Sequence, residues 1–266
     1  MIRDNRVKQR LAAGKPTVGS WVTIAHPTVG EVMAQAGFDW LAMDMEHGVI
    51  GVESVQTLCQ SMSGTAVVPL VRVPWNDQVI IKQVLETGVQ GLVIPLVRSA
   101  EEARAAIAAA QYPPAGIRGI GCQRPAGFGA WFHEYLQKSN DNLVIVVQIE
   151  HTQAVEKLDE ILAVKGIDAI LIGANDLSAS MGLLGQPTHP EVVKVIEKIR
   201  DTARAAGVPP GIIAASPDDA NKRIAQGYKF IGIGLDVGFL STACRDICGQ
   251  IEWNGKDSTG PWTSSV

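Results

Sequence analysis

The residues best suited to chemistry stand directly behind short apolar runs. Trp40–Met43 is followed by Asp44-Met45-Glu46-His47-Gly48, and the run Val67–Arg72 ends on an arginine. Val144–Ile149 carries Gln148 and is followed by Glu150, while Ala169–Ile172 is followed by Gly173-Ala174-Asn175-Asp176. Carboxylates at neighbouring strand ends, Glu150 and Asp176, can take two positions of a hard, oxygen-preferring divalent ion and leave the rest to water and substrate oxygens. His47 and Arg72 would face the same opening. Each residue also has a plainer reading: Glu150 as a rim carboxylate, Asp176 as the N-cap of a short helix, His47 as a hydrogen-bonded structural imidazole, Arg72 as the partner of Asp44 or Glu46. Their joint placement favours the functional reading. Of the remaining histidines, His26 follows the first run and could line the same opening, whereas His133, His151 and His189 fall in helix or loop contexts that favour exposure.

The elements that must position these residues recur along the chain. Eight β-branched apolar runs begin at 18, 40, 67, 91, 144, 169, 211 and 230, and segments of helical period separate them. That alternation over about 250 residues predicts an α/β fold, a single-domain (β/α)8 TIM barrel over 1–251, whose site lies at the C-terminal ends of the strands. Ser99 followed by Glu101 and Glu102 predicts a capped helix start, and the glycine in Ala36-Gly37, Thr87-Gly88, Ala206-Gly207 and Gln226-Gly227 predicts helix ends. The connection Gln111–Asn142 is too long for a routine loop and reads as a partly ordered lid or subunit contact, with a short helix at Ala130–Lys138. Residues 252–266 lose periodicity and read as a tail or arm.

Composition narrows the classes. The 266 residues carry 23 Lys and Arg against 27 Asp and Glu, a formal charge of −4 that lacks the basic excess of a nucleic-acid binder. No apolar run reaches the roughly 20 residues of a membrane span, and the charged start MIRDNRVKQR is unlike a signal peptide, so neither nucleic acid nor membrane is an expected partner and a cytoplasmic location is expected. Four cysteines form no disulfide scaffold and read as reduced thiols, Cys244 and Cys248 packing on one helix face. No run contains or is directly followed by a lysine, which argues against a Schiff-base aldolase, and Lys229 precedes its strand. Phosphate-loop and dinucleotide fingerprints are missing.

DMEHG at 44–48, LVRVPWND at 70–77, YPPAGIRGIG at 112–121, VQIE at 147–150 and IGANDLSASMG at 172–182 together resemble the HpcH/HpaI family of metal-dependent pyruvate aldolases. The resemblance spans about residues 5–250 and implies a TIM barrel, usually a homohexamer that exchanges its last helix between subunits, with Mg²⁺, Mn²⁺ or Co²⁺ as cofactor. Carried over by position, it implies Glu150 and Asp176 as metal ligands, His47 as acid/base, Arg72 as stabiliser of the developing enolate, and Gln148 and Asn175 at substrate contacts. Glu86 occupies the place of a family acidic residue that hydrogen-bonds the histidine. The sequence departs from the family's usual pattern in having Ala174 for a proline and Glu86 for a shorter aspartate.

The expected reaction is the reversible cleavage of a 4-hydroxy-2-oxo acid to pyruvate, or a close 2-oxo acid, and an aldehyde, the ion acidifying the methyl group without a Schiff base. Oxaloacetate decarboxylation or malyl-thioester cleavage on the same centre is the alternative, and a non-catalytic 2-oxo acid binder is a further one. Arg124, in the long connection, reads either as an acceptor-carboxylate contact or as a subunit salt bridge.

Overall fold

The computed structural model describes residues 4–251, so the expectation for the tail at 252–266 lies outside the described residues. Eight parallel strands, β1 (Thr17–Val22), β2 (Trp40–Asp44), β3 (Val68–Arg72), β4 (Gly91–Ile94), β5 (Val144–Ile149), β6 (Ala169–Ile172), β7 (Pro210–Ala214) and β8 (Phe230–Leu235), close into a barrel in chain order, with β8 paired to β1. This is the expected (β/α)8 architecture. The helices are α1 (Arg6–Ala12), α2 (Pro27–Gln35), α3 (Val52–Ser61), α4 (Gln78–Glu86), α5 (Ala100–Ala110), α6 (Phe132–Asn142), α7 (Thr152–Glu156), α8 (Leu158–Leu162), α9 (Ala174–Ser180), α10 (Pro190–Ala205), α11 (Pro217–Ala225) and α12 (Asp236–Gln250). Caps match the sequence signals: Ser99 Oγ accepts the Glu102 N–H at 3.2 Å, and Gly207 ends α10 at φ 76°. The helical segment between β5 and β6 breaks at Lys157 into α7 and α8.

A strand's period of two sorts its side chains between two cores. Trp40 and Ala42 of β2, Val68 and Leu70 of β3, Val144 and Val146 of β5 and Ala169 and Leu171 of β6 share one buried cluster inside the barrel. Their alternates, such as Leu41, Met43, Val71, Val147 and Ile170, join the layer between strands and helices. The interior holds an aromatic column: Phe230 stacks on Trp40 at 4.3 Å, and Trp40 meets Trp21 edge-on at 6.1 Å. Gly19 makes room for it, since a Cβ there would stand 2.0 Å from Trp40 Cδ2.

The sequence pattern did not suggest α1. Val7 and Leu11 are buried against the interior cluster and close the N-terminal end of the barrel. Asn5 caps the helix with its Oδ1 and donates from Nδ2 to the Gln90 and Asn142 carbonyls, tying the helix to the starts of β4 and β5.

The long connection also gathers at this end. It forms a 3-10 turn at Arg124–Gly129 and then α6, which begins and ends later than the short helix expected at 130–138. Arg124 donates to the Thr87 and Cys59 carbonyls and to Ser63 Oγ, at the last turns of α4 and α3. Helices of a (β/α)8 unit run back to the strand starts, so this segment lies away from its own chain's mouth and cannot be a lid there. The same placement puts Arg124 away from its own chain's mouth, so the acceptor contact would be to another copy's site.

Helix α12 stands apart. Asp236 roots it, accepting from Thr23 N–H, Thr23 Oγ1–H and Ile24 N–H at the end of β1. Asp236 is the buried residue of the helix, and Phe239, Leu240 and Ile247 are exposed. Cys244 and Cys248, expected to pack on one helix face, are exposed as well.

Candidate active site

The inward positions of the strands continue past the apolar layers into a polar one. After Trp40 and Ala42 comes Asp44, after Val68 and Leu70 comes Arg72, and after Val144 and Val146 come Gln148 and Glu150. Asp44 and Arg72 are register partners across β2 and β3, which makes their contact a consequence of strand pairing. Arg72 donates from Nε to Asp44 Oδ1 at 2.9 Å and from Nη2 to Oδ2 at 2.5 Å, the bidentate geometry a planar guanidinium favours. Its Cζ lies 4.5 Å over the Trp21 ring, so the aromatic column ends beneath the cation. Burial opposes the charge on Arg72, yet Asp44, Glu46 and Glu150 outweigh it and raise its pKa above the ordinary value. Asp44 also builds the loop after β2, its Oδ1 accepting the Glu46 and His47 N–H groups at 3.1 and 3.2 Å.

Glu46 and His47 occupy that loop in different settings. Glu46 is 14% exposed with Oε2 3.2 Å from Arg72 Nε, and this oxygen makes no hydrogen bond. Burial pushes its pKa up to about 7, against the pull of Arg72 and with help from Asp44 and Asp176. The His47 side chain is 63% exposed, with Nε2 3.8 Å from Glu46 Oε2. An imidazole at the open edge of the mouth can reach both a substrate and water.

Glu150 is buried and held at both oxygens. Leu96 N–H donates to Oε1 at 2.7 Å and Gln148 Nε2 to Oε2 at 2.6 Å. Gly173 gives it space, because a Cβ there would stand 2.3 Å from Oε2. Burial raises the Glu150 pKa, the two donors lower it, and Glu46 and Asp176 raise it further. Asp176 and Asn175 are exposed in the first turn of α9; the cap position belongs to Gly173, so Asp176 is not the N-cap. His26, His151 and His189 are all helix N-caps, accepting through Nδ1, which accounts for them structurally.

The mouth therefore brings together His47, Arg72, Gln148, Glu150 and Asp176, with Asn175 on its rim. It does not bring Glu86 there. Glu86 ends α4 at the opposite end of the barrel, where Arg118 Nη2 donates to Oε1 at 3.2 Å while Oε2 is buried without a partner. Sequence reasoning offered Asp44 and Glu46 only as partners of Arg72, a pairing the structure contains, and gave no role to Trp21 or Leu96. Period-two counting back from Arg72 and forward from Trp40 could have found Asp44; the others depend on burial and on a loop conformation.

The donor set suits a divalent cation. Asp44, Glu46 and Glu150 face one guanidinium, Asp176 stands near Glu46 and Glu150, and Gln148 Oε1 and Glu46 Oε2 are buried acceptors without donors. Among the described residues no three His, Cys, Asp or Glu side chains gather as an ion's complete ligand set, so a cation here would keep positions for water or substrate. No helix among them is long and apolar enough to cross a membrane.

A (β/α)8 barrel with an anchored arginine and carboxylates at the strand ends is the frame of an enzyme acting on small oxyanionic substrates. Comparison with known proteins makes that specific: residues 17–243 match the HpcH/HpaI aldolase/citrate lyase family, and the chain belongs to it. A 4-hydroxy-2-oxo-heptane-1,7-dioate aldolase of Salmonella dublin is 44% identical over 248 residues, 92% of this chain and 94% of the relative. A family member from Burkholderia cenocepacia superimposes with a TM-score of 0.89 at 31% identity, covering 92% of this chain and 98% of that one. An HpcH/HpaI aldolase from Desulfitobacterium hafniense gives a TM-score of 0.85 at 33% identity over 94% and 98%. The protein is a lyase of the aldolase type.

Proposed function

We propose that this aldolase cleaves 4-hydroxy-2-oxo acids reversibly to pyruvate, or a close 2-oxo acid, and an aldehyde, with Mg²⁺, Mn²⁺ or Co²⁺ held by Glu150 and Asp176. The observation that carries the reading is a buried carboxylate, Glu150, set among unpaired acceptors beside an anchored guanidinium, with no lysine of the described residues at a strand end. The ion, when bound, supplies Lewis acidity that acidifies the carbon next to the keto group. Everything else falls to the protein's own side chains. Asp44 occupies Nε and Nη2 of Arg72, leaving Nη1 without a partner among the described residues and free to donate to the enolate oxygen. His47 takes the C4 hydroxyl proton in cleavage and returns one to the aldehyde oxygen in addition. Gln148, Asn175 and Asp176 orient the 2-oxo acid.

Glu86 can serve His47 only from another copy of the chain, since its own lies at the far end of the barrel. That accords with assembly of several copies, which we take to be the homohexamer the family resemblance implies. Further support for assembly is the groove of about 530 Å³ beside α12, lined by Val29, Val32, Met33, Phe38, Phe239 and Leu240, which leaves a largely apolar surface exposed.

Proton NMR of pyruvate in deuterated buffer tests the reading without knowledge of the aldehyde. Methyl exchange that needs Mg²⁺ and stops in EDTA is the expected result. His47→Ala and Arg72→Ala should each slow aldol turnover at least about a hundredfold. Near-parent rates in either would remove that residue from its role.

A further inference from the structure

Two described residues other than glycine adopt a left-handed backbone: Phe128, in the exposed 3-10 turn, and Leu96, with φ 53°, in the connection after β4. A leucine there is unusual, because its Cβ crowds the backbone, and such strain persists only where the surroundings enforce it. At Leu96 the same conformation accompanies a contact in the mouth: its N–H donates to Glu150 Oε1 at 2.7 Å. Gln148 holds the other oxygen at 2.6 Å, so the carboxylate is fixed at both oxygens, and Gly173 leaves the space it occupies.

We propose that Leu96 is a positioning residue of the cation site, its left-handed backbone being retained because that conformation aims its amide at Glu150. The inference rests on the assignment of Glu150 as a ligand. Donors behind a ligating carboxylate fix which lone pairs remain for the ion, and losing such a partner commonly weakens metal binding by about 10- to 100-fold. What position 96 must supply is a backbone shape and not an apolar side chain, so tolerance should follow the left-handed propensity of the substituent.

That ordering separates the proposal from a packing role. Leu96→Gly and Leu96→Asn admit positive φ, whereas Leu96→Val keeps apolar character but is branched at Cβ and resists it. The experiment measures Mn²⁺ affinity by titration calorimetry for the parent and all three variants. It also records the residue-96 amide proton shift of the metal-free proteins, with far-UV dichroism to confirm folding. The expected result is a dissociation constant within about threefold of the parent for Gly and Asn and at least about tenfold weaker for Val. The downfield amide signal of a bond to carboxylate should persist in the first two and be lost in the third. Parent-like binding by Val, with weakening in Gly and Asn, overturns the proposal in favour of packing; equal binding by all four overturns it as well. A parent that binds no Mn²⁺ instead overturns the metal reading of Glu150, and the role of Leu96 with it.

Discussion

Glu46→Gln is the perturbation whose size the structure sets most directly. The Glu46 carboxyl is pushed from 4.5 up to about 7, first by burial and then by Asp44 and Asp176, with Arg72 pulling the other way. The folded protein therefore binds this proton more tightly than the unfolded chain. The contribution of Glu46 to stability is fully present below about pH 4.5 and is lost as pH rises through about 7, because the unfolded chain releases the proton first. The difference of about 2.5 units corresponds to about 3 kcal/mol at about 1.4 kcal/mol per unit, and water at the open mouth reduces it to about 1–2 kcal/mol. Glutamine keeps the shape and cannot ionise. The variant should thus match the parent near pH 5 and exceed it by about 1–2 kcal/mol at pH 8, a rise of several degrees in melting temperature for a chain of this size. Thermal unfolding in EDTA from pH 5 to 8 reads it, and loss of the Glu46 charge also relieves Glu150, which changes the difference in the same direction. A parent-to-variant difference that stays constant across this range would refute the account of a desolvated Glu46 repelled by its neighbours.

Further consequences concern the core and the surface. Gly19→Ala places a methyl 2.0 Å from Trp40 Cδ2, inside a column that cannot move aside, and should destabilise the barrel by at least about 3 kcal/mol; a parent-like melting temperature would contradict the packing described. Phe239→Glu puts a charge on the apolar face of α12 and should shift the protein to smaller species in light scattering at unchanged helix content. An unaltered mass would show that this face does not hold the assembly together.

Much of the site was legible because a strand has a period of two. Once Trp40 and Leu70 are inside the barrel, Asp44 and Arg72 follow on the same face, and the polar residue ending each run marks the mouth. The helix caps at Ser99, and the missing strand-end lysine, were equally local and could be read from neighbours in the chain. The amphipathic α1 was overlooked because it buries just Val7 and Leu11, too few for a periodic signal.

Other properties exist only once the barrel closes. Glu86 and His47 are each ordinary in sequence, and only the direction in which α4 runs back places them at opposite ends. The proton affinity of Glu46 depends on burial and on Asp176 from a distant strand end as well as on its neighbour Asp44, and the hydrogen bond from Leu96 to Glu150 joins residues 54 apart in the chain. Likewise, the sequence of α12 is that of a packed helix, but with Asp236 at its root and Phe239 stacked on Phe38, much of its apolar surface stays exposed among the described residues. Chain-local patterns determine which residues face the mouth, because backbone geometry repeats. Tertiary structure decides distances and protonation, because both depend on which strand ends become neighbours.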